Sequence, residues 1–154
     1  KFTEPSLEVA QSYLQKSASH LESAQLLAKS GKLEEAVSLA YYGMYHCLLA
    51  LLFRCGIKSE NHTASILLLK ELFQQPQLAD EIASGKKERV DKQYYIDFHL
   101  NEKEVQLMLQ KSEEFIIKCK LLLKELTEER IKQLREELGL SLEKKSRDKN
   151  AKKT

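Results

Sequence analysis

The stretch from Ala40 to Phe53 constrains the fold more than any other part of this sequence. It reads AYYGMYHCLLALLF, so three tyrosines and a histidine lie among aliphatic residues. From Leu33 onward the apolar residues cover most sides of a helix, which is typical of a helix buried on two faces. Buried hydroxyls and imidazoles need hydrogen-bond partners. We therefore predict a central helix over 33–53, with one face available to a second subunit.

The composition and the periodicity of apolar residues predict an all-α protein. The chain has 154 residues, enough for one domain, and only five glycines and two prolines. Apolar residues recur at intervals of three and four over 7–29, 63–73 and 101–138, the last as one long helix or as a broken pair. Gly31 predicts a left-handed helix end and a very short loop, so the second helix should return antiparallel to the first.

The region between these helices carries weaker signals. We expect a short helical turn over 78–82, and the polar segment 84–92 is interpreted as partly a helix end and partly an ordered loop. Asn101 followed by Glu104 has the spacing of a capping box and predicts the start of the next helix. Gly139 predicts the end of the last one.

The C-terminal end is basic and lacks apolar periodicity. Residues 143–154 contain six lysines and arginines against Glu143 and Asp148, a net charge of +4, whereas the whole chain carries +2. We expect a helical extension over 127–140 after the core domain, and a disordered tail over 141–154. Such a tail is either a solvated end or a nonspecific, salt-sensitive contact with RNA or DNA.

The cysteines and the hydropathy pattern favour a cytoplasmic protein. The three cysteines are an odd number without paired spacing, which is typical of reduced thiols. No cysteine or histidine spacing fits a metal site, so we expect no metal, and no motif indicates a cofactor. We find no apolar run of membrane-spanning length and no apolar core of a signal sequence, so we expect no membrane contact.

Several short motifs together resemble the HEPN domain (higher eukaryotes and prokaryotes nucleotide-binding), in particular its small stand-alone prokaryotic group. The resemblance covers roughly residues 7–126, and we assign 1–126 to the domain. Its motifs are GKLEEA at 31–36, AYYGMYH at 40–46, Gly56, the pair His62-Thr63, and RVDKQYY at 89–95.

This resemblance implies a bundle of four main antiparallel helices, in up-and-down order with short extra helices, that forms a homodimer. Many HEPN domains are metal-independent endoribonucleases, in which an Arg and a His separated by four to six intervening residues lie near the dimer interface. Others are toxins neutralised by a small nucleotidyltransferase partner protein. Still others are binding modules without catalytic activity.

The sequence departs from the ribonuclease pattern at one position. After four residues Arg89 is followed by Tyr94 instead of His, and the next histidine is His99. A phenol with an ordinary pKa near ~10 is a poor base at neutral pH. The catalytic candidates are therefore Arg89, as a phosphate-binding group that is always charged, with Tyr94 or His62 in proton transfer. The alternative for His62 is a turn residue that caps or orients the third helix.

The candidate ligand-binding residues are Arg89, Tyr94, Tyr95, Tyr42 and His46. Tyr42 and His46 are four residues apart and share a helix face, where they can line a nucleotide pocket. The alternative is packing in the core or in an interface, with the polar tips bonded to backbone or water. Arg89 beside aromatic residues suits contacts with phosphate and bases, but it also suits a solvated segment anchored by aromatics.

Three functions remain open. The first is a HEPN-like module, without an intact ribonuclease motif, that binds a nucleotide, a nucleic acid such as RNA, or a partner protein. The alternative is a metal-independent endoribonuclease that acts as the toxin of a toxin–antitoxin pair. The third is a helical-repeat adaptor, since 31–36 resembles a tetratricopeptide turn, although no second copy follows at a repeat period.

Overall fold

The computed structural model describes residues 1–94 and 99–151, with the backbone alone over 91–94. Its elements are six helices: α1 Leu7–Lys29, α2 Leu33–Arg54, α3 His62–Glu71, α4 Pro76–Tyr94, α5 Glu102–Glu125 and α6 Glu128–Ala151. Within these ranges the extended structure is limited to one bridge, between Phe2 and Ile57. The predicted all-α class is confirmed.

The predicted helix ends are formed by local chemistry. Ser6 and Asn61 begin α1 and α3, because their side chains accept hydrogen bonds from the backbone N–H groups three residues later. The Asn101 side chain accepts from the Glu104 N–H at 2.9 Å and begins α5, as the capping spacing predicted. Gly31 has φ +75°, the left-handed conformation expected after α1.

Helix α2 is the central helix of the bundle. It packs against α1, α3, α4 and α5, and twelve of its 22 residues are buried. Contrary to our expectation, its length and mean hydropathy of 1.5 reach those of a membrane-spanning helix. Burial of 67% of that apolar window inside the bundle accounts for the composition. Absence of membrane contact and a cytoplasmic location stay predictions.

Close approach of α1 and α2 depends on small residues. The buried Ser17 hydroxyl donates to the Gly43 carbonyl oxygen at 2.6 Å. A Cβ on Gly43 would lie 3.3 Å from the Ser17 carbonyl oxygen, tighter than ordinary contact. The glycine within the aromatic stretch of α2 therefore sets the distance between these two helices, and with it the positions of the rings on both.

The structure corrects two predictions on helix extent and decides between the two alternatives left open for a third segment. Instead of a turn over 78–82 and a loop within 84–92, one helix runs through both segments, because Leu78, Ala79 and Ile82 are buried and Gly85 packs closely on the core. The stretch over 101–138 is a broken pair, interrupted at Leu126 and Thr127.

Helix α6 continues through Gly139 to Ala151, so the predicted end at Gly139 is wrong, and the described part of the basic tail is helical. One glycine costs a helix only about 1 kcal/mol, and the neighbouring Leu, Glu and Lys are good helix formers. The division into core, extension and tail stays a prediction.

One arginine anchors α6 to the rest of the fold. The Nη1 of Arg135 donates to the carbonyl oxygens of Thr3, Cys55 and Gly56 at 2.9, 3.0 and 2.8 Å. The residues Ile131 and Leu134 on the same helix are buried. The first half of α6 is therefore fixed to the N-terminal segment and to the turn that follows α2.

The three cysteines are free thiols buried in the protein. Burial raises the pKa of Cys55 to about 11. A hydrogen bond with Cys47 and complete burial raise the pKa of Cys119 well above its ordinary value. The described residues contain no group of three His, Cys, Asp or Glu side chains placed to hold a metal ion.

Candidate functional site

The polar rings of α2 form a cluster with residues from α1, α3 and α4. We call it the ring cluster, and its members are Tyr13, His20, Tyr41, Tyr42, Tyr45, His46, His62 and Arg89. Tyr41 and Tyr45 are buried, whereas the other members are half-buried. The cluster therefore extends from the core to the surface and combines three imidazoles, four phenols and one guanidinium.

A short hydrogen bond joins Tyr41 to His62. The Tyr41 hydroxyl lies 2.6 Å from His62 Nδ1, and the tyrosine side chain is fully buried. Burial raises the pKa of Tyr41 far above its ordinary value, so the hydroxyl keeps its proton. We assign that proton to the bond with Nδ1, because a buried donor needs an acceptor. The proton of the neutral imidazole then lies on Nε2.

Stacking fixes the orientation of His62. Its ring lies 3.8 Å from the ring of Tyr45, centre to centre, at an interplanar angle of 12°. The Tyr45 hydroxyl is in turn bonded to the Ser65 hydroxyl at 3.2 Å. Burial, with the positive charges of Arg89 and Lys86, lowers the pKa of His62, so the ring is neutral at pH 7.

The guanidinium of Arg89 lies over the rings of two tyrosines. Its guanidinium carbon is 5.5 Å and 5.2 Å from the ring centres of Tyr41 and Tyr42, and its Nη1 donates to the Tyr42 hydroxyl at 2.8 Å. Its Nε is buried and has no hydrogen-bond partner among the described residues. These contacts orient a permanently charged group, and none of them is with an acidic side chain.

His46 belongs to a second stack, on the side of α1. Its Nδ1 lies 2.9 Å from the Tyr42 carbonyl oxygen, which can only accept, so Nδ1 carries the proton and Nε2 a lone pair. The ring stacks on His20 at 4.8 Å and on Tyr13 at 5.8 Å. Burial lowers its pKa, partly offset by the bond to Tyr42, and the charge of Lys16 adds to the lowering.

Two members of the cluster were missed in the sequence. Tyr13 and His20 are seven residues apart, so they lie on one face of α1, two turns apart. His20 stacks on His46 and lies 6.1 Å from the ring centre of Tyr42, and burial lowers its pKa. The spacing was the available signal, but it does not reveal which helix that face meets.

The structure brings together four of the residues proposed from sequence: Arg89, Tyr42, His46 and His62. The side chain of Tyr94, at the end of α4, and all of Tyr95 lie outside the described residues. His62 is the first residue of α3, but the capping side chain is that of Asn61. Tyr41 and Tyr45 fit the alternative in which the rings pack in the core with their hydroxyls hydrogen-bonded. The side chains of Tyr42, His46, His62 and Arg89 are instead partly exposed.

The chemistry of the cluster suits an anion bound next to flat groups. A guanidinium fork matches the oxygens of a phosphate, and neutral imidazoles can donate or accept a proton beside it. His62 presents a donor at Nε2 and His46 an acceptor, according to the bonds that their Nδ1 atoms make.

Comparisons with known proteins find similarity over the part of the chain that contains the ring cluster. The sequence model of the HEPN domain matches residues 10–122, which include every member of the ring cluster. A 59-residue stretch is 37% identical to the UPF0332 protein PH1297 of Pyrococcus horikoshii, and covers 38% of this chain and 42% of that protein. The matched stretch thus spans less than half of the curated relative.

Proposed function

The chain belongs to the HEPN domain family, and from this premise we propose that it binds a nucleotide or a nucleic acid by holding a phosphate at Arg89. Membership by itself supports a nucleotide- or RNA-related module, or one that binds a partner protein. That Arg89 holds the phosphate of the ligand is the more specific part of the proposal. The observation that carries it is the guanidinium of Arg89, which is bonded to the Tyr42 hydroxyl and lies over the rings of Tyr41 and Tyr42.

The surroundings of Arg89 favour a bound anion over a structural ion pair. Among the described residues, the groups that hold the guanidinium are phenol rings and one phenol hydroxyl, none of which carries a compensating negative charge. Its Nε has no partner within the described structure, and an unpaired buried donor is costly. Next to it His62 is neutral and carries a proton on Nε2, a second donor for phosphate oxygens.

Binding measurements with defined probes test this proposal. We expect the protein to bind adenosine monophosphate and a fluorescein-labelled single-stranded RNA decamer, measured by calorimetry and fluorescence anisotropy. Arg89→Gln should weaken both by about tenfold or more, since one charge-assisted contact contributes about 1.5–3 kcal/mol. Binding should also weaken as salt increases.

Arg130→Gln is the matched control for this substitution. Arg130 is a half-buried residue of α6 that pairs with Glu137 at 3.2 Å and is not a member of the ring cluster. The control removes the same charge and should leave the affinity for both probes within about twofold of wild type. Equal losses of affinity in the two variants would show that only the net charge of the protein matters and would refute the proposal. A wild-type protein that binds neither probe would also refute it.

Metal-independent RNA cleavage is a second candidate, and the pairing of Arg89 with His62 favours it. A neutral imidazole beside a fixed guanidinium is the combination needed to move a proton next to a phosphate that gains charge. His46, with its lone pair at Nε2, is the candidate base, and His62 is the candidate donor of a hydrogen bond from Nε2 to a phosphate oxygen. In this candidate the protein is the toxin of a pair whose partner is a nucleotidyltransferase-type protein, and it acts as a homodimer.

Cleavage of a labelled RNA in the presence of EDTA distinguishes the two candidates. An enzyme should cut RNA at a rate that Arg89→Gln and His62→Gln each reduce by about 100-fold or more. Wild-type protein that binds RNA but leaves it intact is a binding module. Cleavage that persists unchanged in Arg89→Gln would exclude this mechanism.

A further inference from the structure

A groove between α3 and α4 borders the ring cluster. Its lining residues are Thr63, Ile66, Ala83, Lys86, Lys87 and Val90, and its volume is about 390 Å³. This lies within the range of small-molecule sites, about 300–1,000 Å³. Thr63 directly follows His62, so the groove begins where the proposed phosphate site ends.

The groove combines an apolar floor with a basic rim. Ile66, Ala83 and Val90 supply the floor. Lys86 spans the groove by donating to the Thr63 hydroxyl at 2.9 Å, and Lys87 lines it from the next position of α4. An apolar slot with ammonium groups at its edge fits a flat ring attached to an anion.

Charge is segregated on the two sides of α4. The side toward α3 carries Lys86 and Lys87, next to Arg89, whereas Glu81 and Glu88 line a separate cleft toward α5. A ligand with several negative charges is therefore favoured on the α3 side and disfavoured on the α5 side. The cluster and the groove share the favoured side, so they can act on one ligand.

On the basis of the proposed function, we infer that the ligand is a single-stranded oligonucleotide of at least two nucleotides. Arg89 holds one phosphate, the base of the adjoining nucleotide occupies the α3–α4 groove, and Lys86 and Lys87 face the next phosphate. A mononucleotide whose phosphate lies at Arg89 lacks the second phosphate that Lys86 and Lys87 face, so it gains less from this side of α4. The groove thus distinguishes a polymer from a free nucleotide, a selectivity that the ring cluster by itself does not provide.

Substitutions at two adjacent residues of α4 test the groove. Ala83 is exposed and lines it, so Ala83→Glu fills the groove with a charged side chain at little cost to folding. Ser84, the next residue, is exposed and lines the α5 cleft. Ser84→Glu therefore makes the same charge change on the other side of α4 and is the matched control. Lys86→Ala removes the bridging ammonium group.

The probes are adenosine monophosphate and oligoadenylate decamers of RNA and of DNA. We expect at least one decamer to bind wild type about tenfold or more tightly than the mononucleotide, since a stacked base contributes about 1–3 kcal/mol. Ala83→Glu and Lys86→Ala should lower decamer affinity by about fivefold or more and mononucleotide affinity by a clearly smaller factor, since only the decamer has a phosphate opposite Lys86 and Lys87. Equal factors for the two probes contradict the inference. Ser84→Glu should change neither by more than about twofold.

The outcomes separate this inference from the proposed function. Decamers that bind no more tightly than the mononucleotide, or equal losses in Ala83→Glu and Ser84→Glu, overturn the groove and leave the phosphate site standing. A wild-type protein that binds neither kind of probe overturns both. Circular dichroism spectra and urea midpoints of the variants, matched to those of wild type, exclude loss of folding as the cause.

Discussion

Replacing Gly56 with alanine should destabilise the protein more than any other single glycine-to-alanine change in it. Gly56 follows α2 and has φ +66°, a left-handed conformation that costs other residues about 1–2 kcal/mol. An added Cβ would also collide with the Thr3 carbonyl oxygen, the Pro5 nitrogen and Nη1 of Arg135. Two of these atoms belong to backbone, so the N-terminal segment itself must move.

The size of the effect follows from these contacts. Moving the segment breaks the bonds of Arg135 to the Thr3 and Gly56 carbonyls, and charge-assisted bonds contribute about 1.5–3 kcal/mol. Together with the conformational cost, we expect a loss of about 3–5 kcal/mol. For a chain of this size each kcal/mol lowers the Tm by about 2–4 °C, so the Tm should fall by about 6–20 °C.

Two other glycines provide matched controls. Gly31 also has a positive φ, +75°, but a Cβ there meets nothing within 4 Å, so Gly31→Ala should cost only the conformational part, about 1–2 kcal/mol. Gly139 lies inside α6 in open space, and Gly139→Ala should stabilise the protein by about 0.5–1 kcal/mol.

Urea denaturation followed by circular dichroism measures the three changes in free energy of unfolding on one scale. The expected order of stability is Gly139→Ala, wild type, Gly31→Ala, then Gly56→Ala. A Gly56→Ala protein as stable as Gly31→Ala would refute the argument from contacts. A destabilised Gly139→Ala protein would refute the continuous α6.

Further substitutions test the helix contacts and the histidines. Ser17→Ala removes a buried 2.6 Å bond between α1 and α2 and should cost about 1–2 kcal/mol in urea denaturation; an unchanged midpoint would contradict the role of that bond. Arg135→Met keeps the aliphatic stem but loses three bonds to carbonyls and should cost about 2–3 kcal/mol, which thermal melts will detect. The pKa values of His20, His46 and His62 are lowered in the folded chain. Below about pH 6.5 the unfolded chain therefore binds more protons than the folded chain, and the free energy of unfolding should decrease as the pH is lowered. His46→Gln should make that fall shallower in urea midpoints measured across the pH range; an unchanged slope would show that this imidazole does not contribute.

The sequence was sufficient for the helices whose ends are chemically marked. The bounds of α1 agree with those predicted, because Ser6 and Gly31 act through bonds and φ values within a few residues. The central position of α2 followed from its apolar residues on most sides. The family was also recognisable, since its motif over 40–46 lies in one continuous stretch of chain.

The extent of α4 and α6 was decided by packing and by helix propensity over many residues. Gly85 lies inside α4, and a Cβ there would lie 3.1 Å from Met44 and from Met108, so close packing of α4 on the core accounts for the glycine. At Gly139 the signal for a helix end was real but weaker than the preference of its neighbours for a helix.

The ring cluster marks the limit between what the sequence by itself determined and what only the tertiary structure decided. Helical spacing determined that Tyr42 and His46 share a face, because neighbours on a helix follow from its geometry. It did not determine that His20 joins them from α1, that Tyr41 binds His62, or that Arg89 lies on the tyrosine rings. Those contacts join residues 21 to 48 positions apart, and such distances are closed by the packing of whole helices rather than by any local preference of the chain.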